Sequence, residues 1–308
     1  MNSTASTGLA PSGRATTLES FGRLMQAMAP GGPAPGELAV ELQATDVVIT
    51  PFGKSGTTWL QQMAHALRTR GDMDFDDISR VVPWLETAAG LGLDLNAAQK
   101  ARPRLFKSHL DADRIPAGGR YINACRDPQD ALYSMYKFME GWFIEPGSVS
   151  LDDFARGTFL AAGGPGNRGG DYWTHLRSWW IRREDSDVLF MAYEHMKDDL
   201  EGTIRKVADF IGVELDAELL AITMEHSSLP FMQRHKDRFD DKLMRELSVK
   251  ASGLPANSDS SKVRSGNVGE ARQQLSPEVV AELDALWQLH ITAELGFENY
   301  AALIAALD

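Results

Sequence analysis

The sequence predicts a single α/β domain: a central, mostly parallel β-sheet flanked by helices on both faces. Short apolar runs recur at Asp46-Val47-Val48-Ile49, Tyr121-Ile122-Asn123-Ala124-Cys125 and Val188-Leu189-Phe190-Met191-Ala192-Tyr193. A segment with apolar residues at helical spacing follows each run, and strands alternating with helices imply a parallel sheet covered on both sides. The chain has 308 residues, 43% of them hydrophobic, enough for one large core without a linker.

In chain order, residues 1–35 are rich in Ser, Thr, Ala, Gly and Pro and end in Pro30-Gly31-Gly32-Pro33-Ala34-Pro35. They are expected to form a flexible segment, apart from a short helix near Leu18–Met28, ahead of a domain over residues 36–308. The first strand then runs into Thr50-Pro51-Phe52-Gly53-Lys54-Ser55-Gly56-Thr57-Thr58-Trp59 and a helix through Leu60, Met63, Ala64 and Leu67. Small residues and a lysine at a helix N-terminus form an anion site: unpaired N–H groups and the positive dipole end face the ligand, and Gly56 lets the backbone approach. An ordinary strand-to-helix turn with an exposed lysine would use the same residues. Gly53-Lys54-Ser55 also looks like the end of a nucleotide-triphosphatase P-loop, but that motif needs glycine at position 48, where the chain has Val48.

Residues 75–95 read as loop and short helix, with Trp84 and Leu85 able to line a pocket or to sit in the core. Arg102-Pro103-Arg104-Leu105-Phe106-Lys107-Ser108-His109-Leu110 reads as a short strand whose period of two puts Lys107 and His109 on one face. A histidine there suits a general base, although a lone histidine is more often structural. Arg126 ends the next strand, where open parallel sheets bind ligands, although an ion pair with Asp127 would use it equally well. Asp127 and Pro128 then suit an N-cap and first helical turn, with Ser134 about two turns on. Residues 171–180 read as an aromatic-rich packing helix, and residues 194–212 as a helix stopped by Gly212. The polar stretch 251–270 is a loop in which Arg264, Gly266 and Gly269 suit a lid over an anion.

The N-terminal segment lacks the basic-then-apolar layout of a signal peptide and no run reaches membrane-spanning length, so a cytoplasmic location without stable membrane insertion is expected. Cys125 is the one cysteine, read as a packed thiol rather than a nucleophile, and no cluster has metal-ligand spacing. A formal net charge of −12 argues against a nucleic-acid partner, so an anionic ligand must be held by local cations.

Taken in order, Lys54-Ser55-Gly56-Thr57-Thr58-Trp59, Phe106-Lys107-Ser108-His109, Cys125-Arg126-Asp127-Pro128 with Ser134, Tyr193-Glu194-His195-Met196-Lys197 and Arg264-Ser265-Gly266-Asn267-Val268-Gly269 resemble the soluble sulfotransferases that use 3′-phosphoadenosine 5′-phosphosulfate (PAPS). The resemblance spans about residues 45–290 and looks bacterial. It implies a P-loop-like architecture related to nucleotide kinases, with PAPS as donor, adenosine 3′,5′-bisphosphate (PAP) as product and no metal. It further implies that residues 54–58 hold the 5′-phosphosulfate, and that Trp59 stacks on the adenine. Arg126, Ser134, Arg264, Ser265 and Gly266 would bind the 3′-phosphate. Tyr193, Ser227, Leu229 and Met232 would touch the adenine end.

By the same resemblance His109 takes the acceptor's proton, Lys54 stabilises charge on the leaving phosphate and Lys107 orients the sulfuryl oxygens. Three departures stand out. Gly53 replaces a common proline, Ser265 replaces a common lysine, and Ser276-Pro277 interrupts the family's dimerisation segment, so the oligomeric state does not transfer. Phe52, Trp84, Leu85, Trp142 and Phe143 are expected to form an apolar pocket for a phenol, alcohol or lipid, an amine being the other acceptor chemistry. The competing functions are a P-loop-type kinase or NTPase, which requires Mg²⁺ and hydrolyses ATP, and a non-catalytic PAP-binding protein, against which both His109 and Lys54 argue.

Overall fold

A computed structural model describes residues 8–10, 12–28, 38, 40–164, 170–252, 254 and 262–307. Four parallel strands form the sheet, in spatial order β2 (Leu105–Lys107), β1 (Val47–Ile49), β3 (Arg120–Cys125) and β4 (Val188–Ala192). Val48 lies opposite both Phe106 and Tyr121, and Asn123 opposite Phe190. The expected α/β domain with its parallel sheet is present.

Strand side chains alternate between two cores, as the period of two requires. Val48, Phe106, Tyr121 and Cys125 enter one, beneath the helices Pro128–Trp142 and Tyr172–Ile181. Val47, Ile49, Leu105 and Ile122 enter the other, beneath Thr57–Thr69 and Leu200–Ile211. Leu60, Met63 and Leu67 are fully buried, or nearly so, against that second face. Each such side chain contributes about 1.5–3 kcal/mol, which fixes the Thr57–Thr69 helix, and its N-terminus, to the end of β1.

The helix ends follow the residues. Asp127 caps Pro128–Trp142, accepting from the Gln129 N–H at 2.8 Å, with Pro128 in the first turn where no partner N–H is needed. Gly212 ends Leu200–Ile211 at φ +73°, a left-handed conformation open to glycine. Residues 194–212 are two helices rather than one. Asp199 leaves helical geometry between Tyr193–Asp198 and Leu200–Ile211, and its carboxylate accepts from Gly202 N–H at 2.8 Å. A capping aspartate competes with continuation of the helix.

The short N-terminal helix spans Leu18–Met28 and packs Phe21 and Leu24 into the first core. Residues 12–17, expected to be loose, are tied down. Ala15 is fully buried, donates its N–H to the Phe143 carbonyl at 2.8 Å and accepts from the Glu145 N–H at 2.8 Å. Residues 1–7, the Pro-Gly run at 30–36 and residues 255–261 of the polar stretch lie outside the described residues. No described helix is long and apolar enough to cross a membrane.

Candidate active site

β1, β2 and β3 run parallel, so their carboxyl ends open on one edge, and there a cavity of about 520 Å³ gathers residues from distant parts of the sequence. The turn after β1 has an unusual backbone. Lys54 is held at φ +71° and Gly56 at φ +93°. A Cβ on Gly56 would come within 3.1 Å of the Tyr193 ring, so the position requires glycine for both conformation and space. Gly56 is also the N-cap of Thr57–Thr69 and offers no side chain to its first N–H groups, leaving them for a ligand. The hydroxyls of Ser55 and Thr57 are buried without a partner.

His109 and Lys107 meet Lys54 in this cavity. The His109 Nδ1 lies 2.7 Å from the Pro51 carbonyl oxygen, which can only accept, so Nδ1 carries the proton and Nε2 is left with a free lone pair. Its backbone N–H donates to Glu86 at 2.7 Å, and the Trp84 ring stands edge-on at 5.2 Å. Burial, and then the Lys107 charge, hold the imidazole well below its ordinary pKa, so it is neutral at physiological pH. Burial lowers Lys54 to about 7, helped by the charges of Lys262 and Arg126. It lowers Lys107 to about 8, although Asp241 pulls the other way. The Lys107 ammonium sits 3.8 Å above the Trp84 ring, and Lys54 4.2 Å above that of Phe138.

Arg126 joins the turn to the late loop (residues 262–269). Its guanidinium donates to the Lys54 carbonyl at 2.9 Å and to the Asn267 carbonyl at 3.0 Å, and stacks 4.4 Å over Tyr193, while its Nε is buried without a partner. Buried Asp130 accepts from the N–H groups of Gly269 and Ala271 at 2.7 and 3.1 Å, fixing the end of that loop. The Trp59 indole N–H donates to the Ser227 carbonyl at 2.7 Å, and its ring meets Tyr193 edge-on at 5.7 Å. Ser134, Ser227, Leu229, Met232, Arg264, Ser265 and Gly266 also line the cavity. Arg264 is paired with Glu270 at 2.8 Å, and the Ser265 hydroxyl donates to the same carboxylate at 2.9 Å.

Three residues expected at the site do not line it. Phe52 turns beneath the loop into an aromatic cluster, edge-on to Tyr172 at 5.5 Å and Phe159 at 6.0 Å. Leu85 belongs to the core, because on the short helix Leu85–Ala88 it faces inward while Trp84 just before it faces the cavity. Ser55 is fully buried behind the loop surface. Trp142 and Phe143 do line the cavity, stacked at 4.7 Å.

The apolar end also includes Met25, Met135, Phe138, Met139 and Met244, none of which the sequence singled out for a pocket. Met135, Phe138, Met139 and Trp142 recur at three- and four-residue steps along Pro128–Trp142, a stripe that was legible. Met25 and Met244 come from two helices that pack on each other, which no local pattern announces. Gly53 lines the same wall: a Cβ there would lie 2.9 Å from the Met135 methyl. Among the described residues no group of three or more His, Cys, Asp and Glu side chains could hold a metal ion.

A parallel sheet whose carboxyl edge carries a glycine-cradled turn, two lysines and an oriented histidine defines a group-transfer enzyme, and a family model of the sulfotransferase domain matches residues 44–299. The chain belongs to the sulfotransferase family and is an enzyme of that class. Rat sulfotransferase 2A1 is 29% identical over 255 residues, 79% of this chain and 83% of the relative. Mouse sulfotransferase 1B1 is 27% identical over 263 residues, 80% and 84% of the two chains. Two solved structures share the fold. Retinol dehydratase in complex with androsterone and the inactive cofactor PAP has a TM-score of 0.64 at 20% identity, covering 87% of this chain and 85% of the other. Mouse sulfotransferase SULT7A1 complexed with PAP has a TM-score of 0.62 at 18% identity, covering 92% and 94%.

Proposed function

We propose that this enzyme moves a sulfuryl group from PAPS to the hydroxyl of a bulky apolar acceptor, with His109 as general base. The observation that carries this reading is the pinned tautomer of His109 in one cavity with Lys54 and Lys107. The free atoms of the site suit a polyanionic nucleotide: the Thr57 and Ser227 hydroxyls and the Arg126 Nε line the cavity and are buried without partners beside a glycine cradle. Residues 54–58 would hold the 5′-phosphosulfate, with Arg126 and Ser134 on the 3′-phosphate. Arg264 would join them by leaving Glu270. Trp59, Tyr193, Ser227, Leu229 and Met232 would flank the adenine, while Ser265 and Gly266 close the loop.

The donor, when bound, supplies an electrophilic sulfur and a phosphate leaving group. As the acceptor oxygen forms its bond to sulfur and the sulfur bond to the phosphate oxygen breaks, the acceptor's proton passes to His109 Nε2. Lys54 and the helix N-terminus take up the charge that develops on the leaving oxygen, and Lys107 aligns the sulfuryl oxygens. Lysines supply the positive charge, so the step as written needs no metal. The acceptor faces Phe138, Trp142, Phe143 and the methionines, whose flexible thioethers fit varied apolar shapes, and we therefore favour a phenol, sterol-like alcohol or lipid over a charged sugar. We place the enzyme in the cytoplasm, as the resemblance to the soluble sulfotransferases implies. Incubation with sulfur-labelled PAPS and a panel of apolar alcohols and phenols tests the assignment. Label in the acceptor supports it, while ATP hydrolysis without sulfuryl transfer favours a kinase or NTPase, and PAP binding without turnover a sensor.

A further inference from the structure

We propose that Asp241 and Lys262 are positioning residues of the transfer step: a buried ion pair that straps the late loop to the acceptor wall and holds Lys107 beside His109. The proposal rests on the sulfuryl-transfer reading above. Asp241 stands just before the helix Lys242–Ser252, whose Met244 belongs to the apolar wall. Its carboxylate pairs with the Lys262 ammonium and lies 3.8 Å from that of Lys107. Three separate segments thus meet at one carboxylate: the end of β2, the acceptor wall and the loop that carries Arg264 over the nucleotide side.

The pair is set deep. The Asp241 and Lys262 side chains are only 7% and 9% exposed, and both line the cavity. Asp241 is also held at φ +52°, a left-handed conformation that a non-glycine residue keeps where its surroundings over-determine it. A buried ion pair gives little net stability over an apolar replacement, so a pair in a cavity wall points to placement of charge rather than to folding energy. Without Asp241, Lys107 and Lys262 would repel each other across the site, and Lys107 would lose the contact that fixes it over Trp84.

The charges facing each lysine define a readout that a merely structural role would not give. Lys54 faces Lys262, Arg126, Asp241 and Lys107. Lys107 faces Asp241, Lys262 and Glu86, and His109 lies beside it. In both lysines Asp241 favours the protonated form and Lys262 opposes it. Removing the two partners must therefore move the alkaline limb of kcat/KM, which reports the free enzyme, in opposite directions.

The experiment measures sulfuryl transfer against pH for the full chain, Asp241→Asn, Lys262→Met and the double variant. Asp241→Asn is expected to lose about ten- to a hundredfold in kcat, the scale of a catalytic group displaced by about 1 Å. Its alkaline limb should move to lower pH and that of Lys262→Met to higher pH, and the double variant should lose less than the product of the single losses. Limbs that stay in place or move together, or losses that multiply, overturn the proposal. If Asp241→Asn does not fold, the limb of Lys262→Met decides alone: a move to higher pH supports the pair, and no move or the reverse overturns it. A wild-type chain that transfers no sulfuryl group overturns the proposed function as well, whereas an active wild type with unmoved limbs overturns only the pair.

Discussion

The Arg126 guanidinium donates to the carbonyl of Lys54 at 2.9 Å, tying the residue just after β3 to the residue that leads the anion turn. Lys54 is thereby held in its left-handed conformation, which costs about 1–2 kcal/mol and needs such a clamp. The second donation from Arg126, to Asn267, brings in the late loop. One side chain thus organises the turn and the loop that are proposed to grip the two ends of the nucleotide's phosphates.

Arg126→Ala is expected to weaken PAP binding by about ten- to a hundredfold, the value of a hydrogen bond or two to a charged group. Calorimetric titration with PAP checks it, and an unchanged dissociation constant would remove Arg126 from the 3′-phosphate site.

His109→Ala is expected to lower kcat by about a hundredfold or more while PAP affinity stays nearly intact, because the imidazole acts on the acceptor's proton and not on the nucleotide. Turnover and PAP titration on the same preparation separate the two effects.

PAP affinity should fall as pH rises from about 7 to about 9. In the free enzyme Lys54 stands at about 7 and Lys107 at about 8, both lowered first by burial. An anion favours their protonated forms, so binding in that range takes up protons, and titrations in two buffers of different ionisation enthalpy should show it. The sign for folding is the opposite. Both lysines have folded pKa values below the unfolded value of 10.5, so the unfolded chain binds more protons between about 7 and 10.5, and these groups add stability to the free protein as pH rises through that window.

Gly56→Ala meets both a left-handed φ of +93° and the Tyr193 ring, and should cost about 1–2 kcal/mol of stability together with most PAP affinity. Gly53→Ala meets only the movable end of Met135, so it should leave PAP binding close to wild type and alter acceptor KM instead. Thermal unfolding and PAP titration of the two variants test the contrast.

Much of this site was legible because its parts are local strings. A strand, a small-residue turn and an apolar helical stripe placed Lys54 to Trp59 at a helix N-terminus, and Asp127-Pro128 announced the cap that leaves Arg126 at a strand end. What escaped depends on contacts between distant segments. Phe52 neighbours the anion turn in sequence, yet it is drawn into the aromatic packing of Tyr172 and Phe159. Met25 enters the cavity because Phe21 and Leu24 anchor its helix, and Asp241 because the late loop brings Lys262 to it. The crowding of position 53 by the Met135 methyl became visible only with the two segments packed together.

Transfer of labelled sulfur from PAPS to an apolar alcohol or phenol, by the wild type and by His109→Ala side by side, tests the central claim most directly. Label should appear in the acceptor with the wild type and be lost with the variant, although the variant still binds PAP. No transfer by the wild type with any acceptor, or equal transfer by the variant, would contradict a sulfotransferase that works through His109.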